Sequence, residues 1–323
     1  MDTRTYEQVI REAAARDENI VVMTAENRVA IRNLPNELGL RFIDLGIAEG
    51  TMVGAAAGLA LRGRKPVVHA LATFLTMRAF EFIRTDVGIG NLPVKLVGGV
   101  PGFLSDGNGP THQALEDVAL MRGIPRMQVF SPADGEDLVI GLPSILDSAS
   151  PCYIRYNALP ASVPHTPAFS PGRAEVIAEG GDLTILVHGF LLREVMRALP
   201  LLRDQGYSVR VVNMRMLQPV DEEEILRGAR ETGALVTVED HFLTGGLATI
   251  AAEVLARHQV AACLIPLALE GRWFTPGLLD AVLQKEGFTG AQIARRIVES
   301  LRNNNQGQPH AKHGPIQPYI SIH

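Results

Sequence analysis

Short apolar runs, hydrophobic at consecutive positions, recur along the chain and are separated by longer segments of helical period. In the first half they are "NIVVMTA", "KPVVHAL", "LPVKLVGGV", "RMQVFSP" and "CYIRYN". Between them lie "AEGTMVGAAAGLALRG", "TFLTMRAFEFIRTDVG", "HQALEDVALMRG" and "GEDLVIGLPSILDSA". Strands apolar on both faces must be covered on both faces, and strands separated by helices pair in parallel. The pattern therefore predicts an α/β unit, a parallel sheet covered by helices on both faces. The stretch 157–173, "NALPASVPHTPAFSPGR", is proline-rich and aperiodic, the signature of an extended linker. Alternation then resumes with "DLTILVHG", "YSVRVVNM", "GALVTVED" and "ACLIPLAL", connected or followed by helical segments near 190–205, 221–230, 246–258 and 290–302. This predicts a second, smaller α/β domain. The expected boundaries are 1–160, a linker at 161–175, 176–302, and a polar tail at 303–323 that is either disordered or laid on another subunit.

A length of 323 residues exceeds what one typical core holds, in agreement with two domains. The net charge of −5 is spread over both signs, so no basic field gathers nucleic acid and no polybasic tract meets a membrane. Cys152 and Cys263, the only cysteines, fit neither a disulfide framework nor a zinc spacing. The amino-terminal "MDTRTYEQVIREAAARDE" is charged and amphipathic, and no apolar run reaches the length of a membrane span. A soluble cytoplasmic protein acting on a small molecule or another protein is expected.

Several residues could carry chemistry. Glu49 opens a helix of small residues, "EGTMVGAAAGLA". A carboxylate there can simply answer the helix dipole. The small residues also let the helix approach a neighbour closely, placing Glu49 in a dry interface where a carboxyl group can relay a proton. Phe74, Met77 and Phe80 in "FLTMRAF" are ordinary core residues by spacing, or else aromatic and thioether groups packed on a flat heterocycle. Arg155, at a strand end, is either salt-bridged or reaches across a cleft to an anion. His112 follows the turn-rich "DGNGPT" at a βα junction, the side of an α/β sheet where ligands bind. His69, His188 and His241 lie in or after apolar runs. Of these, His241 in "EDHFLTGG" is the best candidate for a surface where a partner docks.

Taken in order, "GIAEGTMVGAAAGLA", "ATFLTMRAFEFIR", "GNGPTHQALEDVALMRGIP", "SPADGEDL", "YIRY", "MLQPVDEEEI" and "TGALVTVEDHFLTGGLATIAAEVLA" resemble the carboxyl-terminal half of transketolases and of deoxyxylulose-phosphate synthases, up to about Leu301. The resemblance implies a pyrimidine-binding domain of the thiamine diphosphate fold followed by a transketolase C-terminal-like domain. It implies that Glu49 holds a ring nitrogen of the cofactor's aminopyrimidine, with Phe74 packed on that ring and Phe80 and Met77 beside it. His112 would contact the reacting part of the substrate and Arg155 a sugar phosphate. No Gly-Asp-Gly occurs in the chain. The diphosphate and its Mg2+ (or Ca2+ or Mn2+) would thus be held by a separate amino-terminal subunit, in an α2β2 heterotetramer, and no metal ligand is expected here.

Three departures from the family pattern bear on substrate. Asn108 stands where sugar-phosphate transketolases usually carry aspartate, Val100 where many have a phosphate-contacting histidine, and Gly50 where glutamine usually follows the catalytic glutamate. The activity implied is transfer of a two-carbon ketol unit from a ketose, a ketose phosphate or a hydroxypyruvate-like donor to an aldehyde. Two other readings stand beside it: the beta subunit of a 2-oxo acid dehydrogenase, whose chains lack "GPTHQ", and a non-catalytic regulatory subunit.

Overall fold

The computed structural model describes residues 4–307, with side chains to 303. Its first sheet is built from β1 (Ile20–Thr24), β2 (Phe42–Asp44), β3 (Lys65–Leu71), β4 (Lys95–Gly99), β5 (Gln128–Phe130) and β6 (Cys152–Arg155). The second half contributes β7 (Glu175–Ala178), β8 (Leu183–Val187), β9 (Val209–Asn213), β10 (Met216–Gln218), β11 (Ala234–Phe242) and β12 (Leu264–Leu269). Each run singled out in the sequence forms a strand. Strands β1, β4, β6, β8 and β9 are buried along their whole length, the reason they read as unbroken apolar runs.

Two departures from purely parallel sheets appear at the edges. The second sheet has the order β12-β11-β8-β9-β7, with β7 antiparallel to β9. The first has the order β10-β5-β6-β4-β3-β1-β2, so its edge strand β10 comes from the second half of the chain and runs antiparallel to β5. The two halves are thus joined by backbone hydrogen bonds as well as by the linker.

The linker is itself anchored. His165 is buried, with Nε2 against Asp134 Oδ2 at 2.9 Å and Nδ1 against Glu175 Oε2 at 2.8 Å. Asp134 also caps the Gly135–Asp147 helix, and Glu175 opens β7. Arg215 and Asn213 reach the same cluster through Asp137, at 2.6 Å and 3.0 Å. Burial alone would lower the His165 pKa, but the hydrogen bonds to Asp134 and Glu175 outweigh it and raise it to about 10. Asp137, His165 and Glu175 lie close enough to hold a metal ion. Arg215 and a protonated His165 already balance these carboxylates, which makes the group an ionic staple across both domains. The final helix, Gly290–Gly307, runs past the position where the polar tail was expected to begin. The remainder of that tail lies outside the described residues.

The order β4-β3-β1-β2 places the carboxyl ends of β2, β3 and β4 close together. From these ends emerge the Glu49 helix, the Phe74 segment and the His112 loop.

Candidate active site

Glu49 is the first residue of the Glu49–Leu61 helix, whose N-cap, Ala48, offers no side-chain hydrogen bond. The carboxylate meets the helix dipole directly, yet it is only 3% exposed. Its partner is Arg78, whose Nη1 donates to Glu49 Oε2 at 3.2 Å. The Arg78 guanidinium also lies over the ring of Phe74, 4.2 Å from the centroid. Phe74 in turn meets the ring of His112 edge to face, with centroids 5.0 Å apart. A continuous line of contacts, Glu49, Arg78, Phe74 and His112, therefore connects three segments that are distant in sequence.

The Phe74 segment is not a regular helix. Residues Phe74–Arg78 and Ile83–Gly88 form π turns separated by a single α turn. A π turn adds a residue per turn and re-aims the side chains that follow, and such turns are frequent at functional sites. Met77 is half-buried in the first of them, and its sulfur accepts from Thr73 Oγ1 at 3.5 Å. Phe80 packs against a core cluster to which both domains contribute, the ordinary place for such a ring. Gly50 is explained by its neighbour. A Cβ there would stand 2.9 Å from Phe82 Cε2, so the Phe82 ring takes the space of the missing side chain.

The loop between β4 and the Asp117–Arg122 helix carries Asn108 and His112. Asn108 is exposed, and its N–H donates to the Ser105 carbonyl at 2.8 Å. His112 is half-buried, with Nδ1 2.9 Å from Thr111 Oγ1. Thr73 Oγ1 also lies 3.5 Å from the Thr111 carbonyl, so its one hydroxyl proton is shared between that oxygen and the Met77 sulfur, which links this loop to the Phe74 segment. At the loop's start Val100 has φ +48, a left-handed backbone that a β-branched residue adopts only under constraint.

Arg155 does not reach a cleft. It is 2% exposed, donating through Nε to Asp117 Oδ2 at 2.8 Å and through Nη1 to Asp240 Oδ1 at 2.9 Å. Burial opposes its charge, but the two carboxylates more than offset that and hold it protonated. Both anions that meet Arg155 in the described chain are the protein's own, one from each domain. His241 is not a docking surface either, since it is fully buried, and burial pulls its pKa down to about 4. His188, also fully buried, has its Nδ1 2.9 Å from Ser131 Oγ. His69 is a satisfied core residue, 2.8 Å from the Tyr6 hydroxyl at Nε2 and 3.2 Å from the Met23 carbonyl at Nδ1.

Sequence reasoning missed Arg78, Phe82, Asp117 and Asp240. Arg78 follows Phe74 at helical spacing, which was an available signal. The roles of Asp117 and Asp240 appear only when the domains meet.

A two-domain α/β chain with a carboxylate, an aromatic ring and an imidazole gathered at three neighbouring strand ends is the class defined by the fold and site. Its sequence matches the pyrimidine-binding domain of transketolase over residues 1–159 and the transketolase C-terminal domain over residues 172–293. The chain belongs to the transketolase family of thiamine diphosphate-dependent transferases. It is 36% identical over 308 residues to the 6-deoxy-6-sulfo-D-fructose transketolase subunit SqwH of Clostridium sp. (strain MSTE9), covering 93% of this chain and 94% of that one. It is 33% identical over 269 residues to a subunit of the apulose-4-phosphate transketolase of Phocaeicola vulgatus, covering 81% and 86%. A 1-deoxy-D-xylulose-5-phosphate synthase of Symbiobacterium thermophilum is 33% identical over 95% of this chain, which spans 48% of that enzyme. A solved split-gene transketolase, described as an inactive beta4 tetramer, superposes with a TM-score of 0.83 at 33% identity, over 92% of this chain and 97% of that one.

Proposed function

We propose that this chain is the carboxyl-terminal subunit of a two-chain transketolase, which transfers a two-carbon ketol unit from a ketose, a ketose phosphate or a hydroxypyruvate-like donor to an aldehyde. The observation that carries the reading is the buried Glu49 in line with Phe74 and His112, in a chain without Gly-Asp-Gly. This donor set fits the pyrimidine half of thiamine diphosphate: a carboxylate shielded from water for a ring nitrogen and an aromatic face for a flat heterocycle. When bound, the cofactor supplies a nucleophilic carbon that accepts the ketol unit.

Glu49 would hold a ring nitrogen of the bound cofactor by a hydrogen bond, giving or taking the proton between its own carboxyl oxygen and that nitrogen in a position that solvent does not contest. Phe74 orients the ring, and Met77 adds a polarisable edge on the same turn. His112, edge-on to Phe74, stands where it can donate to or accept from the substrate's carbonyl and hydroxyl groups. Asn108, at the exposed tip of the same loop, can read a hydroxyl through its amide. A partner subunit holds the diphosphate and Mg2+, and the α2β2 arrangement gives each cofactor one chain of each kind. The similarity to SqwH and to the apulose-4-phosphate transketolase chain supports the split form.

The test is co-expression with a Gly-Asp-Gly-carrying partner and assay of donor cleavage with thiamine diphosphate and magnesium. Glu49→Gln is expected to lower turnover by at least about a hundredfold while the two chains still co-purify. Undiminished turnover in this variant would sink the mechanism.

A further inference from the structure

We infer that the carboxyl-terminal domain sets the shape of the substrate loop, with Asp240 as its positioning residue. The inference rests on the proposed role of the His112 loop in binding substrate. The loop is fastened to the second domain at three points. At its start, Asp240 Oδ2 accepts the Phe103 N–H at 3.1 Å. The carboxylate sits so closely on the backbone that a Cβ on Gly102 would lie 1.9 Å from Oδ2. In the middle, the Asp106 carbonyl accepts the Gly277 N–H at 3.1 Å. At its end, the Gln113 side chain donates to the Phe274 carbonyl at 3.0 Å and to the Asn108 carbonyl at 3.4 Å.

Packing follows the same pattern. The Phe103 ring is fully buried, edge-on to Phe274 at 5.3 Å and to Phe288 at 5.1 Å. Between these anchors the tip that carries Asn108 is exposed. The loop's backbone is therefore held along its length, while the residue at its tip stays exposed.

Asp240 is the anchor least able to drift. Its Oδ1 is fixed by Arg155, which is fixed by Asp117, which also accepts from the Tyr153 hydroxyl at 2.7 Å. All four side chains are buried, so a displaced carboxylate would leave a buried cation or amide unpaired. The left-handed Val100 lies immediately before this anchor, and strain of that kind persists only where the surroundings over-determine the backbone. Arg155 therefore serves the substrate at one remove: it holds the residue that holds the loop.

The experiment compares wild type with Asp240→Asn and Gln113→Leu in the co-expressed two-subunit complex. The asparagine keeps an acceptor for Phe103 but loses the charge facing Arg155, and the leucine removes the opposite anchor without touching the charge network. Both are expected to speed amide hydrogen exchange within 102–113, leaving the Glu49–Leu61 helix unchanged. With hydroxypyruvate as donor, KM is expected to rise about tenfold or more while kcat changes less than about threefold. Unchanged loop exchange, a loosened loop with unchanged KM, or exchange rising equally in the Glu49–Leu61 helix would each overturn the inference. A wild-type complex that fails to cleave any ketol donor defeats the functional reading instead. Loop exchange still reports on the docking in that case.

Discussion

At the scale of single residues, the site turns on how a buried carboxylate is kept. Glu49 has little water around it, and Arg78 supplies the opposing charge from a side chain that is 54% exposed. Arg78→Ala removes both that charge and the cation over Phe74. Because the arginine is half in solvent, the loss of stability should be modest, roughly 1 kcal/mol, seen as a small drop in the denaturant midpoint. No change in the midpoint would mean that the ion pair is solvent-screened. Glu49 and Phe74 stand out in the sequence because each lies just after an apolar run, and His112 because it closes the turn-rich loop after β4, on the side where an α/β sheet presents its ligands. Arg155 was left between two kinds of partner for a physical reason. A cation at a strand end looks the same in sequence whether its anion is a ligand or a carboxylate 85 residues away.

At the scale of elements, the buried strands announced themselves because burial on both faces demands uninterrupted apolar side chains. Strands β2 and β10 are three-residue edge strands, and β2 has no fully buried residue, so neither shows an unbroken apolar run. Strand β7 is an edge strand with only its first residue buried. The segment after β3 has helical spacing, but its π turns depend on how it packs beneath the Glu49 helix. The junction after β4 is where backbone geometry bears most on function. Val100→Gly should relieve the left-handed strain and raise unfolding free energy by about 1 kcal/mol in chemical denaturation. The same change loosens the hinge of the substrate loop, so faster amide exchange in 102–113 should accompany the gain. A destabilised variant would show that the valine side chain contributes more by packing than its backbone costs.

At the scale of the whole molecule, the interface between domains is a store of protons. Burial raises the pKa of Glu239 to about 8, against the pull of the Ala248 and Leu247 amides that cap onto it. His165, which sits at about 10, holds its proton by its two carboxylate partners. Both groups bind a proton more tightly when folded. Their contribution to stability is complete below the unfolded values, near 4.5 and 6.5, and is lost as pH rises through about 8 and about 10. Thermal midpoints should therefore fall from neutral toward alkaline pH. Glu239→Gln should flatten the profile below about pH 8, and His165→Gln should flatten it between about pH 7 and 10. Parallel profiles in wild type and variants would contradict this assignment. The sequence disclosed the two domains and the proline-rich segment between them, but not that the segment is stapled by His165, because the staple's partners come from both sides.

Strand β10 adds a consequence of its own. A strand lent by the second half completes the first sheet and covers an edge that the first half alone would leave sticky. A cut in the exposed linker would sever the covalent thread and leave the backbone ladder and the ionic staple intact. The nicked protein should elute as one particle, and the separate halves should recombine when mixed, as a lock closes on its own key.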